Sequence, residues 1–148
     1  MAVYSVPFDN LQVTNDSDQD IWQILAPSDA SVILHHMELY SAVTSDERLN
    51  LRLLRRTTDG NGGTATEVPL RGTLAAVGTV VETLGTTPGT AGDVLLAWYW
   101  SQLSPLVYLP TPETRIIVPP SGRIALNLQT AVAATRSWSG FIVFEECG

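Results

Sequence analysis

The 148-residue chain has the length of one domain, enough to bury a core without covalent staples. Its net charge is −7 and all eight basic residues are arginines, so it lacks the clustered cations that nucleic-acid binding requires. Charged residues make up only 16% of the chain, against roughly 25% in ordinary soluble domains, a depletion that also marks the cores of interfaces between chains.

The lone cysteine, Cys147, excludes an internal disulfide and a cysteine-based zinc cluster. No apolar stretch approaches the ~18 residues of a membrane span, and the first residues lack a basic segment followed by an apolar one. A soluble protein made inside a cell is expected.

Taken in chain order, short apolar runs are broken every eight to twelve residues by turn chemistry, the pattern of an all-β sandwich. Strands are predicted over residues 3–8, 20–25, 31–40, 49–57, 77–84, 94–100, 115–118, 123–129 and 137–145. The connections between them (NDSDQD, APSDAS, TSDE, TTDGNGG, TTPGTAGD, LPTPE, PPSG and TAVAATRS) are built from Gly, Pro, Asp, Asn and Ser. In RIALNLQ, Ile124, Leu126 and Leu128 oppose Ala125, Asn127 and Gln129, and in LNLRLLRR, Leu49, Leu51 and Leu53 oppose Asn50 and Arg52. The run SWSGFIVFEE places Trp138, Gly140, Ile142 and Phe144 opposite Phe141 and Val143, which predicts a strand buried on both faces.

The prolines of YLPTPETRIIVPPSGRIALNL end strands rather than hold a ligand. PPSG predicts a rigid elbow joining RIIV and RIALNL as a hairpin-like pair, with Gly122 taking a positive φ. Glu113 and Arg115 are expected to be a strand-start pair or two exposed charges. A long loop is expected at about 57–76, carrying Val68, Leu70 and Leu74 on a surface, with a second long connection in ETLGTTPGTAGD.

Candidate chemistry is sparse. His35 and His36 are adjacent, so on a regular strand they face opposite sides and cannot ligate one metal together. His36 and Glu38 share a face, as in the metal motif of the cupins, but the sequence has no further histidine to complete such a site. A hydrolase nucleophile lacks its base and its G-x-S-x-G turn. Acidic residues fall mainly in turns, where solvation explains them, although two carboxylates can still converge as in a glycosidase. TDGNGG has no following Lys or helix, and NDSDQD lacks the glycine and terminal glutamate of a calcium loop. No catalytic, cofactor or metal residues are therefore assigned.

Two groups remain as candidate contact residues. Arg48, Arg52, Arg55 and Arg56 form the densest basic cluster, either a strand edge or face balanced by the acidic excess or a contact to an acidic partner. Trp98 and Trp100 share a strand face opposite Tyr99, where they fill a core, fill a subunit interface or stack on sugar rings. Arg52, Arg55, Arg56, Trp98 and Trp100 are the expected interface set.

The segments DIWQILAPSDASVILHHMELYS, YLPTPETRIIVPPSGRIALNL and SGFIVFEECG resemble small proteins encoded by tailed phages and prophages, some of which decorate or cement the capsid. The resemblance implies a jelly-roll-like antiparallel β-sandwich, a homotrimer, and a place on a virus particle. The expectation is thus a non-enzymatic virion protein that stabilises a phage head by contacting the major capsid protein or another virion protein. It is expected to need no cofactor, nucleic acid or membrane. The alternatives are a carbohydrate- or receptor-binding module of a phage tail or fibre, motivated by Trp98 and Trp100, and an enzyme of the cupin kind.

Overall fold

The computed structural model describes residues 2–16, 18–70 and 77–148. Twelve strands run through them: β1 (Ala2–Val13), β2 (Gln19–Leu25), β3 (Ser31–Ser41), β4 (Arg48–Arg56), β5 (Gly63–Thr64), β6 (Val68–Pro69), β7 (Val80–Gly85), β8 (Ala91–Ser101), β9 (Leu106–Tyr108), β10 (Ile116–Val118), β11 (Arg123–Leu128) and β12 (Arg136–Cys147). The nine strands expected from alternation are all present. The three added ones, β5, β6 and β9, have two or three residues each, too few to leave a period.

The strands form two antiparallel sheets. The first has the order β10-β3-β12-β1-β6, and β9 joins it on the same free edge of β3 that β10 uses. A 3₁₀ turn at Pro112–Thr114 separates β9 from β10, so the two read as one interrupted edge strand. The second sheet has the order β5-β7-β2-β11-β4-β8.

With the short β5, β6 and β9 and the edge strand β7 set aside, the pairs β1 with β12, β2 with β11, β3 with β10 and β4 with β8 describe a chain doubled back on itself. Successive pairs alternate between the sheets. This doubled-over and rolled hairpin is the jelly roll, an antiparallel sandwich of one domain.

Inward residues from both sheets meet in a core of Val6, Leu34, Met37, Leu39, Ile142 and Phe144 on one side and Trp22, Ile24, Leu51, Leu53, Ile124 and Leu126 on the other. Trp100 and Trp138 pack edge to face with centroids 5.1 Å apart. Their buried N–H groups are satisfied: Trp138 Nε1 donates to Gln102 Oε1 at 2.9 Å and Trp100 Nε1 to Ser104 O at 2.7 Å. Gly140 is required where β12 passes between β3 and β1, because a Cβ there would lie 2.1 Å from Glu38 O.

Several local expectations change. RIIV and RIALNL do not pair with each other: β10 pairs with β3 in the first sheet and β11 with β2 and β4 in the second, so PPSG carries the chain across the sandwich. Gly122 N donates to Pro119 O at 2.8 Å to close that turn, and the positive φ, 59°, falls on Ser121 rather than Gly122. On β12, Phe141 and Val143 are half-buried rather than buried, so the outer face of that strand is only partly covered. Within the segment at 57–76, the short β5 and β6 add to the sheet edges and Val68 and Leu70 are exposed. Leu74 lies outside the described residues.

Candidate interaction surfaces

Strand alternation gives each sheet an outer face, and the two outer faces differ. On the second sheet, register places Asp20, Gln23, Asn127, Leu54 and Arg56 outward, yet all are buried. Gln23 and Arg56 bond to residues of two connections, 57–62 and 86–90, which zip together through Thr57 N to Thr90 O at 3.0 Å and Asn61 N to Thr87 O at 3.1 Å and form a cover. Gly89 permits the closest approach, since a Cβ on it would sit 1.9 Å from Thr58 O.

Beneath this cover, Arg56 and Asp20 are 5% and 3% exposed. Arg56 Nη2 donates to Asp20 Oδ1 at 2.6 Å, Nε to Oδ2 at 3.2 Å, and Nη1 to Gly89 O at 3.0 Å. Asn127 Nδ2 adds a fourth bond, to Asp20 Oδ1 at 3.0 Å. Burial pushes the Asp20 carboxyl above the ordinary aspartate range, against the opposing pull of Arg56 and Asn127. The acidic run NDSDQD therefore does not serve solvation alone, because its last residue is a buried structural anion.

The arginine cluster separates into different roles. Arg48 reaches Asp46 at 3.7 Å on the exposed surface, and Arg52 donates to Asn127 Oδ1 at 2.9 Å with Asp18 4.0 Å away. Arg55 crosses to the other sheet, where Nη1 and Nη2 both donate to Ile117 O at 3.3 Å. Arg56 is committed to the interior. Of the two indoles, Trp100 is buried and Trp98 is half-buried against Tyr108, with centroids 6.3 Å apart. The ring that β8 presents to solvent is Tyr99, at 83% exposure, and Val94, five positions earlier on the same strand, is also exposed.

Among the described residues, the first sheet's outer face has no such cover. Register sets its residues in rows across the strands: Pro7, Phe141, Glu38 and Val107; Val68, Ser5, Val143 and His36; Val3, Glu145, Ile33 and Ile117. Ile117 and Val107 are 54% and 49% exposed, while Phe141, Val143 and Ile33 are half-buried. This is an apolar plate where an antiparallel sheet facing water normally turns polar residues outward.

Each histidine on this face lies against a carboxylate of the same chain. His35 Nε2 lies 2.7 Å from Glu145 Oε2, and His36 Nε2 lies 3.2 Å from Glu38 Oε2, which also accepts from the Tyr40 hydroxyl through its other oxygen. The His36 ring also meets Phe141 edge-on, 5.1 Å between centroids. The two histidines were expected on opposite faces. The β3–β12 register slips between Val143 and Phe144, making His35 the extra residue of a bulge, and its ring reaches Glu145 on the outer face.

Chemically these groups form two separate pairs. Among the described residues no three His, Cys, Asp or Glu side chains converge as a metal site. Burial, with Glu145 beside it, pushes the Cys147 thiol up and away from nucleophilic thiolate. Among the described residues no helix is long and apolar enough to cross a membrane.

The residues missed in the sequence are Asp20, Gln23, Asn127 and Glu145, all buried and polar. Asn127 carried a signal: it is the one polar residue within the otherwise apolar IALNL, where a partner had to be supplied. The chain matches no protein-family model, no curated protein and no solved structure.

Proposed function

We propose that this protein is a non-enzymatic structural component of a phage particle, a homotrimer that decorates and cements the head. The observation that carries the reading is its uncovered apolar surface. Tyr40, Val68, Val107 and Ile117 stand exposed on the outer face of the first sheet, and Val94 and Tyr99 on β8 of the second. A cementing protein needs two contact regions, one for its own copies and one for the shell, and here exposed apolar residues occur on two separate parts of the sandwich. A contact of modest strength, repeated around a symmetric shell, gains avidity without any single strong site. The jelly roll is a fold that viral coat proteins share with lectins and cupins, so the fold alone does not choose among these. The resemblance to tailed-phage proteins favours the virion.

Two measurements test it. Size-exclusion chromatography with light scattering should give three times the 16.0 kDa chain mass, about 48 kDa. Mass spectrometry of purified particles from a host carrying the gene should find the protein in stoichiometric amount. A chain that stays monomeric at micromolar concentration and is absent from particles refutes the proposal.

A further inference from the structure

The outer face of the second sheet holds two buried acceptors without donors. Glu82 on β7 stands directly opposite Gln23 on β2, and both point outward, because their neighbours Val81 and Ile24 are in the core. Among the described residues, Glu82 Oε2 and Gln23 Oε1 are buried with no hydrogen-bond partner, and Gln23 as a whole is 5% exposed. Buried acceptors in this state call for a water or an ion.

A third oxygen ligand comes from the connection 57–62. Asp59 Oδ1 accepts from Gln23 Nε2 at 2.8 Å and from Gly60 N at 3.1 Å. The first of these bonds fixes the Gln23 amide, since turning it over would set its oxygen against the Asp59 carboxylate. Gly62 lets the connection lie over Glu82: a Cβ on it would be 3.4 Å from Glu82 Oε2. Burial, with the negative Asp59 beside it, pushes the Glu82 carboxyl above its ordinary range, against the opposing pull of Arg123. That arginine does not close the site. Its Nε lies 3.9 Å from Asp59 Oδ1, beyond a hydrogen bond, and is itself buried without a partner.

We propose that Asp59, Glu82 and Gln23 bind one calcium ion, which ties the connection 57–62 to β2 and β7. Cross-strand partners have Cβ atoms about 5 Å apart, so the ends of Gln23 and Glu82 can reach one ion at bonds of ~2.4 Å. A shared proton joins two oxygens and a water donates to two, whereas a cation takes all three. Two carboxylates and an amide oxygen, with no His or Cys, suit a hard ion rather than zinc or copper. Calcium accepts an irregular set completed by water, where magnesium demands an octahedron. The site is independent of the virion reading and of any self-association.

The test uses the full chain freed of metal with a chelator. Two carboxylates offset by Arg123 put the dissociation constant at about 10⁻⁴–10⁻³ M. By mass action, ~10 mM calcium chloride should then raise the melting temperature of the 148-residue chain by about 5 °C, and magnesium chloride should raise it by less. Glu82→Gln should fold, because it removes a carboxylate without a donor and supplies an N–H for Gln23 Oε1, and it should lose the calcium response. Asp29→Asn removes the same charge from an exposed position and should keep that response. Hydrogen exchange on the unaltered protein is a readout independent of any variant: calcium should protect the amides of 57–62 and β7 and leave those of β10 unchanged.

An equal calcium response in Glu82→Gln would show screening of the overall −7 charge rather than a site, and overturns the proposal. Melting and exchange that do not change with calcium overturn it as well. Stability that rises on acidification while calcium has no effect assigns the oxygens to a shared proton and likewise refutes the ion.

Discussion

Replacing Arg56 by methionine keeps most of the side-chain volume and removes the cation from a site that is 5% exposed. Three hydrogen bonds disappear, two to Asp20 and one to Gly89 O, and Asp20 is left at 3% exposure with Asn127. Removing one partner of a buried ion pair costs about 3–5 kcal/mol, because the surviving charge loses its compensation. For 148 residues at ~2.1 cal/mol/K each, the unfolding entropy is about 0.3 kcal/mol/K, so the melting temperature should fall by roughly 10–15 °C.

The loss should depend on pH. In the variant the two Arg56 contributions that pull the Asp20 pKa down are gone, so the folded carboxyl rises further above its ordinary value. An acid whose folded pKa is raised contributes stability that is fully present below its unfolded pKa and lost as pH rises through the folded one. The deficit relative to wild type should therefore widen from about pH 4 toward neutrality. Urea unfolding followed by tryptophan fluorescence at several pH values measures this, with Asp20→Asn/Arg56→Met closing the double-mutant cycle. A loss below about 1 kcal/mol with a flat pH profile refutes the account. An unchanged melting temperature with lost self-association would make Arg56 a contact residue after all.

Two further outcomes follow from backbone geometry. Gly140→Ala should destabilise by more than about 3 kcal/mol, since its Cβ would meet Glu38 O at 2.1 Å between two central strands; thermal unfolding near the wild-type temperature would contradict the strand spacing. Ser121→Gly should stabilise by about 0.5 kcal/mol, because relief of a left-handed conformation at φ 59° outweighs the added chain entropy of glycine, and urea midpoints at unchanged slope detect it.

Alternation along Ile124, Leu126 and Leu128, or Leu49, Leu51 and Leu53, reveals strands because the period of two is a local property of the chain. Which strands pair is not local. RIIV and RIALNL look like a hairpin because only four residues separate them, yet each has its inward side chains in a different sheet. The bulge that turns His35 outward depends on β12, more than a hundred residues away, and leaves no trace in SVILHHMELY. Asp20 and Arg56 lie 36 positions apart, and each taken alone is an ordinary charged residue beside a turn. Trp98 and Trp100 could be placed on one face of a strand, but not on the inner or the outer one. That required knowing that Leu49 and Leu51 opposite them point into the core.

The pairing of Ala2 with Glu146 along the seam of β1 and β12 also constrains how the molecule is made. As the polypeptide leaves the ribosome, β1 and β3 must wait for the strand that sits between them until β12, residues 136–147, has emerged. Closure is therefore slow, as expected for contacts of such long sequence separation. During that interval the nascent chain displays unpaired strand edges, and crowding of many such chains in one cell favours aggregation over closure.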